Sequence, residues 1–292
     1  MTTTPEALDP SNAEAMARAV ARDAGVEIRL LDSLPDLGTL SRLLDSIWLV
    51  PRGGSPQIPL EQLRAMAHAG NYVAGAYAGK RLVAGSVGFF GAPADRSLHS
   101  HITGVAERAR GRNVGYALKI HQRAWALSLG VDRVTWTFDP VIRRNAHFNL
   151  VKLGANPSEY FVNFYGDSDD VINAGQGSDR LLATWELASD HVHESLRSST
   201  KTFRQPPPAM TVHAVRANGD VPVVIGSDQW GDASRVVVDT PRDIESLRGS
   251  DPSVALQWRM ALRMVLADLI RDRATFLGLS SVGAYHFERN PR

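Results

Sequence analysis

The chain has 292 residues, with 32 Lys plus Arg against 31 Asp plus Glu and no cysteine. That length leaves room for about two domains, and the composition, 43% hydrophobic and 22% charged, is that of an ordinary globular protein. Absent cysteine excludes a cysteine nucleophile, a thiolate zinc site, an iron–sulfur cluster and a disulfide framework, while a net charge of +1 speaks against a whole-surface nucleic-acid binder but leaves room for one local polyanion site.

Residues 1–10 are a loose polar start. They lack a basic stretch followed by an apolar core, so no signal peptide is expected. The least polar run, residues 83–94, is too short to cross a bilayer, so no membrane partner is expected and a cytoplasmic location is the default.

Ser11 or Asn12 caps a first helix that runs to about Ala24 and stops at Gly25. Residues 26–30 alternate as a strand does, with Val26, Ile28 and Leu30 on one face. Residues 34–49 space Leu40, Leu43, Leu44 and Ile47 along one side of a helix. A loop rich in proline and glycine follows, then a helix over 60–69 ended by Gly70. Residues 72–77 and 81–90 read as a hairpin joined by Ala78-Gly79-Lys80. Residues 99–106 form a fourth strand. A basic, glycine-containing loop leads from it into a helix over 115–129, with Ala117, Leu118, Ala124 and Trp125 as its apolar face.

A fifth strand over 132–138, a short helix over 143–153 closed by Gly154, and strands over 158–165 and 181–187 complete this part. Residues 197–210 read as a linker, because Gln205-Pro206-Pro207-Pro208 favours extended chain. Strands over 211–215, 222–225 and 235–239 follow. Asp251 then caps a helix with Pro252 in its first turn, whose stripe is Trp258, Ala261, Leu262, Val265 and Leu269. A strand over 283–288 comes last. The expected organisation is a helical extension over 1–25, a mixed α/β domain over 26–196, the linker over 197–210, and a smaller α+β domain over 211–292.

The most specific segment is the passage from the fourth strand into the next helix, residues 102–118. The first turn of a helix has N–H groups without intrahelical acceptors and the positive end of the helix dipole. Such a turn cradles a pyrophosphate. Gly115 lets the backbone come close to phosphates, and Arg110 and Arg112 add positive charge.

Arg112-Asn113-Val114-Gly115-Tyr116-Ala117 matches the Q/R-x-x-G-x-G/A signature, and the chain resembles the GNAT superfamily of acyl-CoA-dependent N-acyltransferases over about residues 26–188. It looks closest to a subgroup that carries Ser100-His101 on the fourth strand, Leu118-Lys119 with Gln122-Arg123 on the helix, and Trp136 to Pro140 on the fifth strand. Asn145, Phe148-Asn149, Tyr165-Gly166 and Asp179-Arg180 continue the similarity. The resemblance implies a GNAT fold with acetyl-CoA or succinyl-CoA as co-substrate. It places the pyrophosphate on the backbone of Arg112, Asn113, Val114, Gly115, Tyr116 and Ala117, and the pantetheine on the strand edge at Val105 and Ala106. Asn145 lies where family members place a cofactor-contacting Asn. The acceptor would be the amine of a small molecule. An arginine, among Arg143, Arg144 and Arg180, would meet a succinyl or amino-acid carboxylate.

Acyl transfer needs a deprotonated amine, donors for an oxyanion, and a proton for the leaving thiolate. A chain without cysteine suits direct transfer through a tetrahedral intermediate. His101 is the base candidate, since histidine exchanges protons near neutrality; a buried packing role is its alternative. The tyrosine that many family members use as general acid corresponds to Leu150 here, which leaves Tyr165 as a substitute. Asp139 either binds a substrate ammonium or caps the region of residues 143–153. Glu107 reads as a solvated loop carboxylate and His121 as a packing residue. Asp167, Asp169 and Asp170 lack the glycine and terminal glutamate of a calcium loop, so no metal site is expected. Two other functions compete: a non-catalytic acyl-CoA-binding module, and other thioester chemistry on the same fold. The C-terminal domain would close over the acceptor site or mediate dimerisation.

Overall fold

The computed structural model describes residues 10–166, 176–197 and 211–289. The chain divides into two compact units, Met1–Trp136 with Glu186–Ala188, and Thr137–Trp185 with Ser189–Arg292.

In the first unit the order is α1 (Pro10–Asp23), β1 (Glu27–Leu30), α2 (Leu34–Ile47), α3 (Leu60–His68), β2 (Tyr72–Ala78), β3 (Arg81–Phe90), β4 (Ser97–Val105), α4 (Val114–Ser128) and β5 (Arg133–Phe138), whose last two residues fall to the second unit. The strands lie side by side in chain order. β1 to β4 are antiparallel, which suits the short β2–β3 and β3–β4 connections, and β5 joins β4 in parallel after the crossover through α4. α2 starts where Ser33 accepts from Asp36 N at 3.2 Å. Its Leu37, Leu40 and Leu44 pack with Leu63 of α3 against Val73 and Val87 of the sheet. Gly85 on β3 permits this approach, because a Cβ there would collide with Leu40 Cδ1.

β4 carries two irregularities. Its pairing with β5 covers only Ser97–Arg133, Leu98–Val134 and His99–Thr135, while its pairing with β3 continues to Val105. Beyond His99 the β4 edge therefore has no ladder partner on the β5 side among the described residues. In the β3–β4 ladder Val87 faces Ile102 and Gly88 faces Ser100. His101 is left as the extra residue of a β-bulge, which re-aims it out of strict alternation.

The second unit contains α5 (Arg143–Ala146) running into a π-helical turn (His147–Lys152), β6 (Asn156–Phe161), β7 (Arg180–Glu186, whose last residue belongs to the first unit), α6 (Asp190–Arg197), β8 (Thr211–Asn218), β9 (Val221–Val224), β10 (Arg235–Val238), α7 (Ile244–Ser250), α8 (Pro252–Arg271), β11 (Thr275–Leu279) and β12 (Tyr285–Glu288). The last five strands form a sheet ordered β11-β12-β10-β8-β9. Asp251 caps α8 through Val254 N at 3.1 Å, and the stripe Trp258, Ala261, Leu262, Val265 and Leu269 is buried as its spacing predicts.

Several elements differ from the sequence expectation. The strand expected over 158–165 stops at Phe161, because Asn163 adopts a left-handed conformation, φ +47°. Leu30 is exposed, so β1 does not bury all three of its alternating residues. α7 and β11 have no counterpart in that expectation; both are short and lack a clear apolar period. Most of the proposed linker (198–210) and Asp167, Asp169 and Asp170 lie outside the described residues.

The second compact unit takes in residues on both sides of residue 196. Ion pairs between residues far apart in sequence join the two parts of the second unit. Asp139, 5% exposed, takes Arg259 Nη2 and Arg248 Nη2 at 2.8 Å each. Asp179, fully buried, is held by Arg263 through two bonds of 2.8 Å and by the Tyr160 hydroxyl at 2.8 Å. Tyr285 adds a hydroxyl bond to Pro140 O at 2.9 Å. Burial alone would raise the Asp139 pKa; Arg259 and Arg248 outweigh it and hold the carboxyl below its ordinary value.

Removing one partner of a buried pair strands the other charge. Arg259→Ala is expected to cost about 3–5 kcal/mol in chemical denaturation followed by circular dichroism. Since the folded pKa of Asp139 is depressed, its contribution is present above the unfolded carboxylate range and is lost as pH falls through the folded value. The deficit of the variant relative to wild type should therefore shrink in acid.

Candidate functional site

The β4–α4 turn builds a backbone cradle. β4 ends with Ala106 N donating to Val83 O at 2.9 Å, toward β3. By alternation the Val105 N–H points to the unpaired edge. A 3₁₀ turn follows over Glu107–Ala109. Gly111 and Asn113 then take left-handed conformations, φ +76° and +60°. Asn113 is the N-cap of α4, and the first intrahelical bond is Ala117 N to Asn113 O at 2.9 Å. The N–H groups of Val114 and Gly115 precede that bond and lie at the positive end of a 15-residue helix. A Cβ on Gly115 would meet only Val105 Cγ2, at an ordinary 3.5 Å. Packing therefore does not demand glycine there; it leaves the helix terminus open to a ligand.

The arginines of this turn divide their tasks. Arg112 donates to Ala24 O at 3.3 Å and Arg108 to Leu82 O at 2.9 Å, which ties the turn to the end of α1 and to β3. Arg110 is exposed. Arg108 also lines a cavity of about 830 Å³ together with Arg42, Lys80 and Arg81, with no carboxylate among its lining residues. The charge concentration visible as Arg108, Arg110 and Arg112 is thus extended by cations from α2 and the β2–β3 hairpin.

His101 sits at the bulge, beside the unpaired edge. Its ring lies 6.0 Å from that of Phe89 and 6.5 Å from that of His99. Desolvation by its surroundings lowers its pKa, so the ring is neutral at pH 7 and able to accept a proton. His99 is pushed down to about 4, first by burial and then by His101 and Lys119, and its Nδ1 is 3.2 Å from Thr135 Oγ1. His121 meets the Tyr72 hydroxyl at 2.9 Å, and Glu107 is exposed on the 3₁₀ turn.

A cluster that sequence reasoning misses lies under α4. Lys119, Gln122 and Arg123 are all buried, although spacing predicts an apolar face of Ala117, Leu118, Ala124 and Trp125. Lys119 Nζ donates to Ser100 Oγ at 2.8 Å and to Gln122 Oε1 at 3.2 Å, and stands 3.8 Å above the Trp136 ring centre. Burial lowers its pKa to about 7. The available signal is the spacing of Lys119, Gln122 and Arg123 beside the apolar stripe, and residue polarity masks it.

The remaining candidates belong to the second unit. Asp139 is enclosed by Arg248 and Arg259 and also accepts from Val141 N at 3.2 Å; its oxygens are engaged in holding that unit together. Tyr165 is exposed on the turn after β6, its hydroxyl 3.3 Å from Thr137 Oγ1, with Arg180 5.1 Å from its ring centre. Asn145 is half-buried on α5, and Leu150 is buried in the π-helical turn. Arg143 donates to Thr240 O at 3.0 Å and Arg144 pairs with Glu245. Among the described residues no cluster of three or more His, Cys, Asp or Glu is placed to hold a metal ion, and no helix is long and apolar enough to cross a membrane.

No family model and no curated protein matches the chain. Solved structures do. The chain is similar to the ribosomal-protein-S18-alanine N-acetyltransferase of Escherichia coli, at 12% identity and a TM-score of 0.46, over 56% of this chain and 95% of that one. It is likewise similar to an acetyltransferase of the GNAT family from Streptococcus pneumoniae, at 13% identity and a TM-score of 0.45, over 55% and 97%. A third similar structure is yncA from Salmonella typhimurium, solved with its cofactor acetyl-CoA, at 12% identity and a TM-score of 0.46, over 56% and 94%.

The desolvation of His99 makes a direct prediction. Its ring should titrate near pH 4 in NMR spectra of the folded protein, while an unfolded histidine titrates at about 6.5. Between those values the unfolded chain binds the extra proton, so this histidine erodes stability as pH falls from about 6.5 toward 4. Replacing His99 by Gln should flatten that part of the stability–pH curve.

Proposed function

We propose that this protein is an acyl-CoA-dependent N-acyltransferase that moves an acetyl or succinyl group from the thioester to the amine of a small molecule, amino acids among the acceptors. One observation carries it: an open, glycine-bearing helix terminus directly follows a strand whose neighbour leaves it after His99. A helix N-terminus suits the pyrophosphate, and an unpaired strand edge suits the amides of pantetheine. Val105, Ala106 and residues 112–117 would hold the co-substrate, with Arg110 adding charge. The basic cavity at Arg42, Lys80, Arg81 and Arg108 has the charge for the remaining phosphate of CoA.

In this scheme neutral His101 accepts a proton from the incoming amine, and a β4 backbone N–H faces the oxyanion. The chain has no cysteine, so transfer is direct. Leu150 stands where family members carry their acid, and the sequence offers Tyr165 only as a substitute candidate for it. Asp139, with two guanidinium partners, is assigned to structure rather than to the acceptor. Buried Leu150, at the position of the usual tyrosine, favours one second reading, a module that binds acyl-CoA without turnover.

The test is release of CoA thiol from acetyl-CoA and succinyl-CoA against a panel of amino acids and amines. Amine-dependent release is the expected result. Tight CoA binding without release on any amine selects the binding module, and release without an amine selects other thioester chemistry. Gly115→Ala should weaken CoA binding by about tenfold or more in calorimetry at an unchanged melting temperature, because its Cβ enters only the ligand's space. His101→Ala should lower kcat by about 10²-fold and remove the fall in rate on the acid side of neutrality.

A further inference from the structure

Lys119 is a buried cation with no carboxylate within ion-pair distance among the described residues. Buried charges of this kind are costly unless they are paired or used. Its position is specific. Backbone pairing between β4 and β5 ends at His99–Thr135, and the next residues on the two strands are Ser100 and Trp136. Lys119 reaches both, donating to Ser100 Oγ at 2.8 Å and covering the Trp136 ring at 3.8 Å. The lysine head therefore sits at the apex of the divergence. Ser100 receives a proton donor from Lys119, so its own O–H must be directed at another acceptor. Gln122 points the same way: its Oε1 accepts from Lys119 at 3.2 Å, while its buried Nε2 has no hydrogen-bond partner among the described residues.

We propose that Lys119, acting through the Ser100 hydroxyl, supplies the proton that the departing CoA sulfur requires. The proposal rests on the acyl-CoA reading of the site. As the tetrahedral adduct collapses, the C–S bond breaks and its electron pair stays on sulfur. Ser100 Oγ–H passes its proton to that sulfur and is reprotonated by the Lys119 ammonium, which becomes a neutral amine. The proton removed from the attacking amine, taken up at His101 or by water, restores the ammonium before the next turnover. Lys119 is thus a positioning and proton-supplying residue behind Ser100. Burial brings the lysine down to about 7, so the ammonium is abundant below neutrality and gives up its proton readily to a thiolate, whose conjugate acid has a pKa of about 8.5 in an ordinary thiol. His99 of β4 interacts electrostatically with Lys119; the other titratable groups on the elements packed against α4 include His101 of β4, Tyr72 of β2 and Glu14 and Arg18 of α1, with Tyr116, His121 and Arg123 on α4 itself. β5 contributes Trp136.

Ser100→Ala, Lys119→Met and the double variant test the relay. Each single variant is expected to lose about 10²-fold in kcat with KM for acyl-CoA within about twofold, and the double variant to lose no more than either single, since the two act as one unit. The alkaline decline of wild-type kcat, caused by loss of the Lys119 ammonium, should disappear in both, whereas Tyr165→Phe should keep it. A second readout needs no acceptor: the thiol of bound CoA should ionise at lower pH on wild type than on Lys119→Met, followed by thiolate absorbance. Wild-type kcat in Ser100→Ala, multiplying losses in the double variant, or the same bound-thiol titration with and without Lys119 would overturn the proposal while leaving the acyl-CoA reading intact. Failure of wild type to bind CoA would remove both. Should Lys119→Met not fold, Ser100→Ala, which deletes one oxygen, decides the matter.

Discussion

The loss of β-pairing between β4 and β5 after His99 is the constraint on which the candidate site depends. Parallel strands joined by a helical crossover pair through evenly spaced, slanted hydrogen bonds. Here β4 runs on to Val105 with β3 as its sole ladder partner among the described residues. The consequence is a strand with structural support on one edge and open hydrogen-bonding groups on the other. An open edge is usually blunted; this one leads into a helix terminus whose N–H groups share the same openness.

The interior below that opening is polar for the same reason. Where backbone pairing stops, Ser100 and Trp136 are bridged by the lysine head instead. Arg123, one turn further along α4, donates Nε to Leu187 O at 2.8 Å, so two basic residues of one helix face satisfy groups at the sheet rather than facing solvent. The desolvation that lowers Lys119, His99 and His101 results from their shared location. The outcome is a set of groups able to exchange protons near neutrality or below it, next to an edge that can bind a ligand's amides.

The second unit is organised by another interaction. Its carboxylates Asp139 and Asp179 are buried against guanidinium groups of α7 and α8. Planar guanidinium–carboxylate pairs fix orientation as well as distance, so these pairs set α8 against the turn after β5 and against the start of β7. This makes the C-terminal strands and helices continuous with residues 137–185 in one compact unit.

Local physics wrote much of the architecture into the sequence. Gly25, Gly79 and the Asp251-Pro252 pair mark element ends through conformations or caps that neighbouring residues alone decide, and the leucines of α2 and the stripe of α8 declare their buried faces by spacing. The turn at 110–115 is legible on the same grounds, since two arginines, an asparagine and two glycines at a helix start need no distant partner to be read as an anion cradle. What no local rule supplies is pairing at a distance. The departure of β5 from β4, the bulge that displaces His101, the burial of Lys119 and the capture of Asp139 by arginines more than a hundred residues away depend on which surfaces meet after the chain has folded. A lysine beside an apolar stripe reads as solvated until a strand, a serine and a tryptophan close over it.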